Sequence, residues 1–167
     1  MVVKAVSQFS LIQPGDRVLC ALSGGADSVC LTHLLATRAT ELGITVAAVA
    51  ECGDSPRAVS AEMRRLLASA PRLRGLFVTA PIVGAAVAAL GEAKRKITVV
   101  GSDFTRPALD ALRAGSVAAL LYSSPERQME HALIELCNRL AGRRSDGAAF
   151  RIRQELVLKS NLENYLL

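Results

Sequence analysis

Short apolar runs alternate with longer stretches of helical periodicity along this chain. The runs 17–22, 44–50, 74–79, 97–101 and 117–122 are mostly rich in Val, Leu and Ile and too short for helices, so they predict five strands. Their apolar positions are continuous rather than alternating. That marks strands covered on both faces, as in a parallel sheet between two helix layers. Between them, 28–42, 56–70, 82–93, 107–114 and 125–141 read as helices. Leu31, Leu34, Leu35 and Leu42 share one face of the first, and Met129, Leu133, Leu136 and Leu140 share one face of the last. Pro56, Pro107 and Pro125 stand just inside helix starts, where a missing N–H costs nothing, and Gly142 offers a left-handed stop. Residues 1–12 suggest a short leading helix, and 151–158 alternates like a half-exposed edge strand.

This βα alternation predicts one α/β domain over residues 1–167. Its sheet is doubly wound, mostly parallel and five-stranded in the order 2-1-3-4-5. Helices cover both faces in a Rossmann-like or flavodoxin-like three-layer sandwich, with a short extra strand near the end of the chain. A domain of this size removes about 70% of its unfolded surface from water, so it needs no staples.

Composition narrows the class. With 51% apolar, 21% charged and 4% aromatic residues, the chain is neither disordered nor collagen-like nor a disulfide scaffold. The longest uncharged stretch, between Arg74 and Glu92, is interrupted by Pro81 and is too short to span a bilayer. The first residues lack the features of a secretory signal, so a cytoplasmic setting and no membrane partner are expected. The cysteines at 20, 30, 52 and 137 have no metal or redox spacing and read as buried free thiols. The net charge of +5 lies wholly in residues 51–167. Its only runs are Arg64-Arg65, Lys94-Arg95-Lys96 and Arg143-Arg144, without interleaved aromatics. Solvated helix ends, rather than a nucleic-acid interface, are the expectation.

The sharpest candidate site is Ser23-Gly24-Gly25-Ala26-Asp27-Ser28, between the first strand and first helix. Two glycines let backbone amides turn outward, and the following helix adds its free N-terminal amides and positive dipole end, which together make a phosphate cradle. The same letters also suit a plain turn in which Asp27 or Ser28 caps the helix. His33 and His131 stand alone on their helices, so no metal site is expected, and Ser23 and Ser28 lack a partner base.

The letters SGGADS after PGDRV resemble the pyrophosphate-binding loop of the PP-loop ATP pyrophosphatases. Residues 9–48 look most like the start of a tRNA(Ile)-lysidine synthetase. That resemblance implies adenylation chemistry, with Ser23, Gly24, Gly25, Asp27 and Ser28 on the phosphates of ATP and Asp27 near magnesium. It stops inside the second strand. Val49-Ala50-Glu51-Cys52-Gly53-Asp54 follows, without the histidine-containing stretch of that family.

Residues 51–162 resemble instead the C-terminal lobe of lactose-repressor-type regulators and periplasmic sugar-binding proteins. That resemblance implies a sugar cleft in which Asp103 and residues near Thr79 would bond ligand hydroxyls. Read without it, Asp103 is a polar residue near a helix start, with Thr105 capping and Pro107 just inside. Neither a second lobe nor a helix-turn-helix is expected within these residues.

Domains join in exposed linkers, not within a strand. The expectation is therefore an engineered chimera, with 1–48 a PP-loop-like βαβ fragment and 49–162 a sugar-binding-protein-like lobe fragment. It would have no catalytic residues, no required cofactor, no nucleic-acid, membrane or obligate protein partner, and no physiological activity. Phosphate, sulfate or ATP with magnesium would bind weakly at 23–28, and the opposite edge of the sheet is expected to offer no comparable donors. The alternative is an ATP-binding PP-loop module.

Overall fold

The computed structural model describes residues 17–22, 37, 41, 43, 45–52, 55–79, 81–143 and 154–166. In chain order the elements are β1 (Arg17–Leu22), β2 (Thr45–Glu51), α1 (Pro56–Ser69), β3 (Leu73–Val78), α2 (Val83–Glu92), β4 (Thr98–Gly101), α3 (Arg106–Arg113), β5 (Ala119–Tyr122), α4 (Pro125–Leu140), β6 (Glu155–Val157) and a 3-10 turn (Leu162–Tyr165). The helix expected over 28–42 lies outside the described residues except for Thr37 and Glu41, which are helical, and the leader 1–12 lies wholly outside them.

One six-stranded sheet runs β2-β1-β3-β4-β5-β6. The first five strands are parallel in the expected order, and β6 adds the antiparallel edge. β1 is paired on both sides. Its register against β2 steps between Val18 and Leu19, and its register against β3 steps between Arg17 and Val18, where Arg74 becomes an extra residue.

Helix α1 packs against α2 and α2 against α3 in a row over one face of the sheet. Leu76, Val78, Val99 and Leu120 are fully buried there, while Phe77, Val100 and Leu121 on the alternate positions are only half-buried. Val59, Met63 and Leu66 of α1 complete this core with Ala86 and Leu90 of α2. Beneath α1, where β2 ends, the packing leaves an apolar void of about 20 Å³ lined by Ala50, Val59, Met63 and Leu76 among others.

The proline starts follow the expected pattern. Ser55 caps α1, accepting a hydrogen bond from Ala58 N–H at 3.2 Å, and Pro56 follows it. Gly142, at φ +69°, ends α4 in a left-handed turn closed by Arg143 N–H on Asn138 C=O. Helix α4 departs from expectation in another respect. Its apolar stripe is present, but Met129, Leu133, Leu136 and Leu140 are 62%, 54%, 53% and 80% exposed, and no residue of α4 is buried. Periodicity reveals a face and not what covers it. Cys137 on this helix is exposed and Cys52 only half-buried, which corrects the buried-thiol expectation for these two cysteines.

One close approach sets the spacing of α2 over the sheet. A Cβ on Gly101, the last residue of β4, would stand 2.4 Å from Val83 Cγ2 and 3.2 Å from Leu120 Cδ2. Only glycine lets the first turn of α2 sit there. Gly101→Ala is expected to lower stability by about 1–3 kcal/mol through overpacking. Urea unfolding measures it, and an unchanged midpoint would show that α2 can shift at no cost.

Candidate functional site

Strands β3, β4 and β5 end at one edge of the sheet, and a cleft of about 390 Å³ opens there. Its lining includes Thr79, Asp103, Phe104, Thr105, Tyr122 and Ser123, so Thr79 and Asp103 are brought together. β1 runs parallel to β3 with Ala21 opposite Val78, so the chain leaves β1 at this same edge. Ser23, Gly24, Gly25, Ala26, Asp27 and Ser28 follow at once but lie outside the described residues, as does His33. Sheets of this topology place ligands at this edge, beside the strand where the order reverses, which here is β1.

Asp103 is the one buried charged residue among those described. Its Oδ2 accepts from Val83 N–H at 3.1 Å, and its Oδ1 accepts from Thr105 N–H at 3.0 Å and from Thr105 Oγ1–H at 2.8 Å. Val83 opens α2, whose own cap position holds Ile82, a residue with nothing to offer a free amide. Asp103 supplies that acceptor from 20 residues further along the chain, and its negative charge suits the dipole end it meets. The capping expected of Thr105 is corrected. Thr105 occupies the cap position of α3, but its side chain makes no cap bond and its hydroxyl donates to Asp103 instead. A carboxylate has about four lone-pair sites, and these three bonds leave one, on Oδ2.

An aromatic cluster that periodicity did not reveal stands beside this carboxylate. Phe104 and Tyr122 have ring centroids 4.6 Å apart, and Tyr165 meets Tyr122 edge-on at 5.6 Å. Tyr122 O–H donates to Glu126, and Tyr165 O–H donates to Glu155 at 2.9 Å. These carboxylates raise both phenols above their ordinary value, and partial burial adds to the effect. The bond from Tyr122 in turn holds the Glu126 carboxyl below its usual range. Adjacency to Asp103 and a strand end were the only sequence signals for Phe104 and Tyr122, and Tyr165 joins them through the tertiary fold.

Among the described residues no group of three or more His, Cys, Asp or Glu is placed to hold a metal ion, and no helix is long and apolar enough to cross a membrane.

No protein-family model matches the chain. By sequence it is 38% identical over 76 residues to the tRNA(Ile)-lysidine synthase of Persephonella marina, covering 46% of this chain and 17% of that protein. To the enzyme of Clostridium perfringens strain 13 it is 56% identical over 34 residues, 20% of this chain and 7% of that one. The chain thus spans less than a fifth of these relatives. By structure it resembles a glucose-galactose binding protein from Geobacillus stearothermophilus, at TM-score 0.82 and 14% identity over 96% of this chain and 59% of that one. It also resembles a carbohydrate transporter solute binding protein from Agrobacterium radiobacter, solved with D-arabinose, at TM-score 0.80 and 22% identity over 98% and 57% of the two chains. A LacI-type regulator of Bacteroides fragilis gives 0.72 at 14% identity, over 98% and 59%. The fold is periplasmic-binding-protein-like. Short lysidine-synthase-like stretches lie within it.

Two outcomes are expected at this edge. Asp103→Ala orphans three donors with one substitution and should cost about 2–4 kcal/mol in denaturant unfolding, since each buried unpaired donor costs about 1–3. A loss below about 0.5 kcal/mol, the size of an ordinary surface change, would remove Asp103 as the cap of α2. The chain has two tyrosines and no tryptophan, so tyrosinate absorbance reports both phenols cleanly. Their stabilising bonds are fully present below the unfolded phenol value of about 10 and are lost as pH rises through the higher folded values. The native titration should therefore fall above the denatured one, and coincident curves would contradict both hydrogen bonds.

Proposed function

We propose that this chain is an artificial chimera of two α/β fragments with no physiological activity of its own, made by recombinant expression in a cytoplasmic setting. Its retained chemistry is weak binding of phosphate, sulfate or ATP at Ser23, Gly24, Gly25, Ala26, Asp27 and Ser28. It needs no cofactor and no nucleic-acid, membrane or obligate protein partner. The observation that carries this reading is the disjunction between the two likenesses. Identity of 50–56% to lysidine synthases is found over stretches of only 34–38 residues, whereas likeness at 14–22% to sugar-binding proteins extends over 96–98% of the chain. A strand, helix and strand of one parallel fold can stand in for those of another, because β1 needs only backbone partners on its two edges. At the end of β2, Glu51-Cys52-Gly53-Asp54 brings no histidine to the strand end where the resembling enzymes do their chemistry.

One observation favours a second reading, an ATP-binding PP-loop module. A 76-residue match cannot end before residue 76, so that likeness runs past β2.

An assay of ATP- and cytidine-dependent pyrophosphate release separates the two. No turnover above background is expected, and turnover would establish the second reading. Titration with phosphate or ATP should shift the amides of residues 23–28 with a midpoint near 1 mM, about −4 kcal/mol. Gly24→Val should abolish those shifts by forbidding the turn. If these amides stay still at tens of millimolar while others move, the loop is only a turn.

A further inference from the structure

The opposite edge of the sheet carries a second feature, and it corrects the expectation that no comparable donors lie there. A cleft of about 740 Å³ is bounded by Arg74, Lys94, Arg95, Lys96, Thr98 and Ser116, and no carboxylate is among its lining residues. Arg74 comes from the start of β3 and the other three cations from the link between α2 and β4, so the fold brings two distant segments together. Arg74, Lys94 and Lys96 are exposed. Arg95 is anchored, with its guanidinium donating to Pro71 C=O at 2.6 Å, and it keeps further donors free of that bond.

The ends of α1, α2 and α3 also reach this edge, and their carbonyls attract cations on their own account. Each helix end amounts to about half a negative charge, so four cations exceed three ends by about two and a half charges. The surplus faces an accessible cleft whose base is apolar, formed by Leu90, Ile97 and Val99.

Two backbone irregularities fall on its cations. Arg74 is the extra residue where the β1–β3 register steps, a device that re-aims a side chain. Lys94 has φ +50° at the end of α2, in a turn closed by Arg95 N–H on Leu90 C=O. The equivalent turns of α3 and α4 use Gly115 and Gly142, the residues that conformation favours. A lysine held there against local preference points to a role for its charge.

We propose that this cleft is a binding site for a small organic phosphate, with the phosphate on Arg74, Lys94 and Lys96 and a compact apolar body over Leu90 and Ile97. Arginine forks and lysine point charges together suit a phosphate group, and the volume suits a ligand of nucleotide size. The site is independent of residues 23–28, which follow the other end of β1.

The test titrates isotope-labelled protein with AMP, inorganic phosphate and adenosine, with sodium chloride at matched ionic strength as control. AMP should shift the amides of Gly91, Thr98 and Ser116 at millimolar concentration, about tenfold more tightly than phosphate and far more tightly than adenosine. Gly24→Val should leave these shifts unchanged, which separates this site from the loop. Lys96→Glu should weaken AMP binding about tenfold. Lys94→Gly should weaken it about threefold while raising the melting temperature, because glycine relieves the backbone, so misfolding cannot explain the loss. Shifts reproduced by salt alone, equal shifts with adenosine, or AMP binding indifferent to both lysine variants would overturn the proposal.

Discussion

Strand β1 must satisfy backbone partners on both of its edges, and the rest of the sheet depends on that. It pairs in parallel with β2 on one side and β3 on the other, so the strand order reverses at β1. Parallel neighbours need long crossovers, and consistent handedness then places α1, α2 and α3 together on one face. A parallel ladder is indifferent to most side chains. That indifference lets Val18 to Ala21 pair with Gly75 to Val78 through their backbones alone.

The two ends of the strands then acquire opposite chemistry from the direction of the helices between them. Helices start at the edge where β3, β4 and β5 finish, so free amides gather there, and Asp103 answers them by joining the α2 start to the α3 start. Helices finish at the other edge, where carbonyls gather and Arg74, Lys94, Arg95 and Lys96 collect. Charge complementarity to helix ends accounts for the sign at each edge. It does not account for a lysine in a left-handed turn, nor for an arginine at a register step.

Helix α4 shows the reverse situation, an apolar stripe that nothing among the described residues covers. Its ion pair between Arg139 and Glu135 and the Tyr122–Glu126 bond are exposed contacts of small worth. They do not offset the open face of Met129, Leu133, Leu136 and Leu140, so among the described residues the well-packed helix layer is that of α1, α2 and α3.

What the sequence determined by itself is local and periodic. Continuous apolar runs specified five parallel strands, Pro56 specified the start of α1, and Gly142 specified the end of α4, because each depends on neighbours within a few residues. Thr79 and Asp103 were legible as candidates only through a resemblance, and residues 23–28 through their own letters. Only the tertiary structure decided that Asp103 caps a helix 20 residues earlier, that Tyr165 joins Phe104 and Tyr122, and that Arg74 meets Lys94 to Lys96. Those partners are far apart along the chain, and no periodicity encodes which strand ends lie side by side. The order of pairing around β1 does.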